Sequence, residues 1–534
     1  MFACLLACLA ASVAAQAPFD VILRGGLVAD GSGGEPTRAD VAIRDGRIAQ
    51  VGAVDADAAA GRSIDVAGMV VAPGFLDVHA HADEDAAQKP EAENFVRMGV
   101  TTIITGNCGS SVPVLGAHFE RLASQGISLN YGTLIGHGTI RTGVMRTAAR
   151  APTAGELARM CERVAIAMRE GAYGMSTGLI YVPGTYAETE ELIALSKVVA
   201  EHGGVYASHM RHEDDKVLDS IAEALRIGRE AGCRIHLSHL KASGKSVWGY
   251  GDRIVEALEG ARASGVQVTG DQYLYTASST GLEVLFPSRE LSIGRAEFGR
   301  RLAEDPEFAA AMADAVLASA KHAGFDDLAY GQIANAPNHP ELAGLRLSEV
   351  AKRLLGRDDA RAQAEAACRL MTDAKGTRVG MVYHKMCEPD VERILRAPFV
   401  AIASDAGIRS RDGADRPHPR GSGNNARLLG HYVRERGVVA LGLAVRKMTS
   451  LPAEVFGLGD RGRLAVGMAA DVVVFDPARV RDTATYDDPR ADPEGIPYVL
   501  VNGVVVIDAG THTRARPGMV LRHRPTPGTD KKHP

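Results

Sequence analysis

No basic cluster interrupts this chain of 534 residues apart from a short polar stretch at its end, Arg522 to Pro534, and the net charge is only -5. That pattern excludes nucleic acid as the expected partner, and the end stretch (521–534) reads as a disordered tail. Cysteine is scarce, at seven residues. Cys4 and Cys8 fall at the very start. Cys108, Cys161, Cys233, Cys368 and Cys387 are scattered and odd in number, which excludes a disulfide framework. A buried small hydrophobe is the default reading of each, and only the context of Cys108 argues otherwise. The apolar run Phe2 to Ala15 is too short to cross a bilayer as a mature helix, so no stable membrane span is expected. Its Leu and Ala content, and the small residues Val13-Ala14-Ala15 and Ala15-Gln16-Ala17 that close it, read as a signal peptide over 1–17 and a periplasmic or secreted protein. The Lys or Arg that normally precedes such a run is missing. A start codon placed too far downstream would explain that, and without a working signal the protein is cytoplasmic.

The hydrophobic share is 46%, enough for one large core and a smaller satellite domain. Short strands at Asp20–Gly25, Asp40–Ile43 and Arg47–Gly52, punctuated by Asp30-Gly31 and Asp45-Gly46, read as a β domain over 18–72. From Pro73 strands alternate with helices. Strands are expected at Thr101–Gly106, Tyr173–Ser176, Val205–His209, Arg234–His239 and Val266–Tyr273. Helices between them include one opened by the capping box Thr153-Ala154-Gly155-Glu156 and others closed by Gly203-Gly204, Gly232 and Gly265. Residues 286–375 break this rhythm with helical segments such as Phe308–Ala323, and read as an insertion over the mouth of the domain. The strands resume at Gly380–Tyr383 and Phe399–Ser404. Repeated βα units of this size, over 73–455, fit a (β/α)8 TIM-type barrel; an open doubly wound sheet is the alternative. Ala470–Phe475, Tyr498–Asn502 and Val504–Asp508 return to the style of the first strands. One β-sandwich domain built from both chain ends (18–72 and 456–520) is the simplest account.

Chemistry gathers at the ends of the expected strands. His79-Ala80-His81 follows the apolar run Met69–Val78, and residues two apart on a strand point the same way. Cys108 follows Thr101–Asn107, His209 and His239 end their strands, and Asp405 follows Phe399–Ser404. Barrel active sites sit at that lip. Histidine and thiolate suit zinc, a carboxylate can join them, and a bridging thiolate would hold two cations close together.

Several motifs carry a resemblance. They are Gly74-Phe75-Leu76-Asp77-Val78-His79-Ala80-His81, Gly106-Asn107-Cys108-Gly109, Gly174 to Gly184, Ser208-His209-Met210-Arg211, Leu237-Ser238-His239-Leu240-Lys241, Ser404-Asp405 and His418-Pro419-Arg420. Through these the chain resembles the N-acyl-D-amino acid deacylases (D-aminoacylases) of the amidohydrolase superfamily, from about Asp20 to Gly510. The resemblance implies one tightly held Zn2+ on Cys108, His209 and His239, and a weaker second site at His79 and His81. It implies Asp405 as general base and then general acid, and Arg420 as the fork for the substrate α-carboxylate. Tyr181, Lys241, Ser278, Tyr383 and Met386 match pocket positions. Ala406 and Leu274 depart from the family pattern, and the loop between Asp405 and Arg420 is longer. The implied reaction is zinc-dependent hydrolysis of an N-acyl-D-amino acid, a small-molecule substrate. A dipeptidase for D-residue dipeptides remains an alternative. So does a cyclic-amide hydrolase, although a bridging lysine would be expected there. A non-catalytic scaffold would be expected to have lost some of these ligands.

Overall fold

The structure, a computed structural model, describes residues 18–524. The expected signal peptide, with Cys4 and Cys8, lies outside the described residues, as does the tail from 525 onward. No helix among the described residues is long and apolar enough to cross a membrane.

Strands from both ends of the chain join one hydrogen-bonded network. Phe19–Val28 pairs antiparallel with Thr37–Arg44 and parallel with Ala60–Asp65 and Val70–Pro73. Thr37–Arg44 turns back on Arg47–Gly52 through Asp45-Gly46, both at positive φ (52° and 70°), the geometry a two-residue hairpin of matching twist requires. Val70–Pro73 then pairs antiparallel with Val472–Phe475, which leads to Tyr498–Val501, Val504–Asp508 and Thr511–His512. Val472–Phe475 is buried throughout, as its unbroken apolar sequence demands.

Between these ends runs a parallel series. Phe75–Asp77, Val100–Thr105 and Asn130–Thr133 pair side by side. Ile135–Gly136, Gly174–Gly178, Val205–His209, Arg234–Leu237, Val268–Gln272 and Val400–Ile402 continue it. Leu134, which separates two segments of one run, gives its N–H to Thr105 O at 2.9 Å. Just past the first and last strands Ala80 and Ala406 form a parallel bridge, and His81 N–H donates to Ala406 O at 2.8 Å. Pairing therefore passes from the first strand around to the last. The helices between are amphipathic and bury one face. The one over Ala154–Glu170 opens with the expected capping box: Thr153 accepts from Glu156 N–H, and the Glu156 carboxylate accepts from Thr153 N–H.

Three expectations are corrected. Gly380–Tyr383 is no member of the parallel series. It is the middle strand of a small antiparallel sheet between Ser278–Gly281 and Gly331–Asn335. Its Met381 and Tyr383 join a separate hydrophobic core with Phe298, Val316 and Leu347. A four-residue apolar run cannot signal which sheet it will enter. The missing parallel strand is Asn130–Gly136, whose polar composition hides it. Second, the inserted unit extends beyond 286–375, from Ser278 to Tyr383, because its helices pack on strands at both of its ends. Third, the start of the expected disordered tail is ordered. Leu521 N–H donates to Tyr131 O at 2.7 Å, His523 N–H to Gly171 O at 2.9 Å, and Arg522 lies over the Phe119 ring.

Candidate active site

The candidate residues sit just beyond the C-terminal ends of the parallel strands, and their backbones are held in unusual shapes. Cys108, His239 and Asp405 all have positive φ (52°, 35° and 51°). Non-glycine residues rarely adopt this region unless the surroundings hold them there. For Cys108 the surroundings are legible in Gly106-Asn107-Cys108-Gly109. Gly106 has φ 74°, and a Cβ there would lie 2.1 Å from Leu134 O. A Cβ on Gly109 would lie 2.8 Å from Gly178 N. Asn107 is buried, and its amide donates to Val78 O (3.2 Å) and Ile104 O (3.0 Å). Two glycines and one asparagine thus bend the chain so that the Cys108 thiol enters the centre.

The donors converge in two overlapping groups. His79, His81, Cys108 and Asp405 each offer an atom within 4.8 Å of the others, and so do Cys108, His209 and His239. Cys108 is common to both. Its Sγ is 3.2 Å from His79 Nε2 and 3.6 Å from His239 Nε2. His239 Nε2 is 2.8 Å from His209 Nδ1, while His209 Nε2 is buried with no hydrogen-bond partner. His81 Nε2 lies 2.9 Å from Asp405 Oδ1. Burial pushes the Cys108 thiol up, but the field of His79 and hydrogen bonds from His209 and His239 outweigh it and hold the thiol well below its usual value. Burial likewise raises Asp405, but Arg420, His79 and the His81 hydrogen bond hold its carboxyl well below the ordinary range. A thiolate, a carboxylate and four imidazoles facing one space are a donor set suited to a divalent metal of zinc type.

A second layer of carboxylates holds the imidazoles, and the sequence motifs alone do not reveal it. Asp271 Oδ2 sits 3.1 Å from His79 Nδ1 and 3.0 Å from His236 Nε2, and its Oδ1 accepts the His239 N–H at 2.8 Å. Glu213 Oε1 sits 3.0 Å from His239 Nδ1 and pairs with Lys241 Nζ. Asp77 accepts N–H bonds from His79 and Ser404 and so ties the first strand to the last; burial drives its carboxyl up to about 6. Carboxylates on the far nitrogen fix the tautomer and direction of ligating histidines. The signal that could have found Asp271 is its place at the end of Val268–Gln272, the rule that found the histidines.

The pocket residues fare unequally. Arg420 Nη1 lies 2.8 Å from Asp405 Oδ2, its guanidinium stacks 4.4 Å from the Tyr273 ring centroid, and its N–H donates to His418 Nδ1. The Tyr181 ring packs 4.9 Å from His209, and its hydroxyl accepts from Thr280 Oγ1. Lys241 is buried against His239 and Glu213. Met386 supports from behind, its Sδ taking the Tyr273 hydroxyl at 3.7 Å. Tyr383 points elsewhere: its ring joins the inserted core and its hydroxyl donates to Gly281 O. Ser278 pairs with Tyr383 in the small sheet, while its neighbour Ser279 lines the cleft beside Asp405.

A family model described as "Amidohydrolase family" matches residues 62–507. N-acyl-D-glutamate deacylase of Alcaligenes xylosoxydans xylosoxydans is 38% identical over 529 residues, covering 95% of this chain and 97% of that protein. D-aminoacylase of the same organism is 36% identical over 529 residues, covering 94% and 98%. The crystal structure of N-acyl-D-glutamate deacylase from Bordetella bronchiseptica, complexed with zinc and a phosphonate that mimics the tetrahedral intermediate, matches with a TM-score of 0.80 at 35% identity, over 95% of this chain and 100% of that one. With its motifs, strand-end donors and near full-length relatives all in agreement, the chain belongs to the amidohydrolase family, among the N-acyl-D-amino acid deacylases (D-aminoacylases).

Proposed function

We propose that this chain hydrolyses the amide bond of N-acyl-D-amino acids, releasing a D-amino acid and a carboxylate, with zinc held by its own side chains. The observation that carries this reading is the meeting of Cys108, His209 and His239 within a few ångströms of an Asp405–Arg420 pair. The residues fit the metal: the buried His209 Nε2 has no partner and the Cys108 thiol is disposed to ionise. Cys108, His209 and His239 would hold one zinc tightly, and His79 and His81, with Cys108 and Asp405, a weaker second ion. A zinc ion held there would supply polarisation of the acyl carbonyl and a water whose pKa is lowered to about 7.

The chain's own groups do the rest. Asp405, ionised, accepts a proton from the attacking water as the new C–O bond forms. It then delivers that proton to the amide nitrogen as the C–N bond breaks, so that one carboxyl serves as base and then acid. Arg420 receives the substrate α-carboxylate in a bidentate fork, with Tyr273 beneath its plane and His418 fixing its backbone. Because Arg420 already faces Asp405, the same guanidinium keeps the base ionised and aligns it with the scissile bond. Tyr181 walls the site over His209, and Lys241 with Glu213 holds His239 in place.

The ring of eight parallel strand positions is read as a (β/α)8 TIM-type barrel, supported by the Ala80–Ala406 bridge, and the two-ended sheet as its satellite sandwich. Export to the periplasm or beyond is proposed from the apolar run at 2–15.

The test is a screen of zinc-loaded protein against N-acetyl-D- and N-acetyl-L-amino acids, D- and L-dipeptides, and a hydantoin. Hydrolysis of the N-acetyl-D-amino acids ahead of all others is expected. Turnover confined to D-dipeptides or to the cyclic amide would replace this reading with a rival.

A further inference from the structure

His236 is buried and hydrogen-bonds to none of the candidate metal donors. It lies on the strand Arg234–Leu237, between Ile235 and Leu237, and its ring packs edge-on against Phe456, 5.4 Å between centroids. A hydrocarbon would suit such a place better, because burying an imidazole is costly until both of its nitrogens have partners. Both have them. His236 is the register partner of Thr269 on the neighbouring strand Val268–Gln272, and its Nδ1 lies 2.9 Å from Thr269 Oγ1. Asp271, two residues on from Thr269, projects from the same side of that strand, and its Oδ2 lies 3.0 Å from His236 Nε2. An ionised carboxylate only accepts, so Nε2 carries the hydrogen whichever way the Thr269 hydroxyl turns.

That hydrogen bond reaches the metal donors through a single oxygen. Asp271 Oδ2 also meets His79 Nδ1 at 3.1 Å, while Oδ1 accepts the His239 N–H at 2.8 Å. His79 Nδ1 has no other partner among the described residues, so Asp271 sets the direction in which His79 Nε2 faces the centre. His239 depends on Asp271 differently. Its ring Nδ1 is met by Glu213 Oε1 at 3.0 Å, and only its backbone by Asp271. The two donor groups that share Cys108 are therefore held by different carboxylates. Turning Asp271 would turn the His79 ring and leave the His239 ring in place.

We propose that His236 is a positioning residue for the second ion. By fixing the Asp271 carboxylate it aims His79, and so sets how tightly an ion is held by His79 and His81 with Cys108 and Asp405. The ion on Cys108, His209 and His239 is left nearly unchanged. The inference rests on the metal-holding reading above and is independent of which amide is cleaved. Outer partners of ligating histidines act through ring direction and tautomer. His236 stands one contact further out, and Asp271 remains when it is removed. The expected loss is therefore about 10-fold in affinity, the low end of what removing an outer partner costs.

The experiment titrates Co2+ into metal-free wild type, His236→Leu and His236→Gln, followed by calorimetry and visible absorption. The first ion is expected to bind all three proteins equally. The second is expected to bind His236→Leu about 10-fold more weakly. His236→Gln recovers much of that loss, because its amide nitrogen offers an N–H at the reach of the imidazole Nε2. A histidine that serves packing alone would weaken both ions together and gain nothing from glutamine. Should His236→Leu fail to fold, Thr269→Val, which removes the hydroxyl behind the ring, is read in the same way. A smaller weakening of the second ion alone supports the inference there, and unchanged binding overturns it. An unchanged second ion in His236→Leu, an equal loss of both ions, a loss that His236→Gln does not lessen, or a wild type that takes up a single ion also overturns it; each leaves the first zinc site standing. A wild type that takes up no cobalt removes the metal reading together with this one.

Discussion

Cys108 is the residue on which both donor groups depend, because it alone belongs to His79–His81–Asp405 and to His209–His239. Cys108→Ala should strip bound zinc to background by elemental analysis. The loss of hydrolysis should exceed the roughly 10–100-fold typical of removing a mere outer partner of a ligand. The turn is built by Gly106, Asn107 and Gly109 rather than by the thiol, so the metal-free variant should unfold in urea at the same midpoint as metal-free wild type. Full turnover in Cys108→Ala would refute the shared-thiolate site. At this scale the sequence was largely legible. The candidate ligands lie at strand ends, and strand ends can be recognised from apolar runs. Asp271 and Glu213 were less so, because each acts on a histidine's far nitrogen and nothing in linear spacing reports such a contact. Tyr383 marks the opposite error: a pocket position by resemblance, its hydroxyl is already spent on Gly281 O.

Elements were read well where local chemistry decides them. Thr153 and Glu156 form both halves of the expected cap, and the helix they open runs to Glu170 before Gly171 ends it at φ 112°. Thr153→Ala should destabilise the protein by about 1 kcal/mol, seen as a lower urea midpoint with an unchanged slope. No shift would mean that the cap is redundant with the packing of the helix. Elements were misread where distant partners decide them. Asn130–Thr133 lacks the apolar run that marks a buried strand, yet it is one. The Asn130 amide donates to Thr101 O (3.0 Å) and Asp471 Oδ2 (3.0 Å), and its oxygen accepts from Asn502 Nδ2 (2.8 Å). Only once those partners are in place does burying an asparagine cease to be costly. Gly380–Tyr383 failed for the complementary reason: its apolar run suits either sheet, and the inserted core claims it.

For the molecule as a whole, one buried cation offers a measurable pH signature. Lys447, on the helix Leu441–Met448, is fully buried and donates to Ala397 O (2.5 Å) and Val400 O (2.6 Å), clamping that helix to the last parallel strand. Burial, then the like charge of Arg446, brings its pKa down from 10.5 to about 7. The unfolded chain therefore binds more protons than the folded one between about pH 7 and 10.5. Stability contributed by this group is present above 10.5 and is lost as pH falls toward 7. Relative to Lys447→Met, wild-type unfolding free energy should climb with pH across that window; parallel curves would show that the lysine stays charged when folded. The two-ended sheet was legible at this scale from the matching style of its strands, whereas the seam of Asn130, Asp471 and Asn502 that locks it to the parallel series was not. The pairing of Val70–Pro73 with Val472–Phe475 also sets an order of events during synthesis. A ribosome delivers the first of these segments hundreds of residues before the second, so the nascent protein must wait with an open β edge. That interval is when aggregation or chaperone capture competes with completion, and a truncation before residue 472 would make the wait permanent.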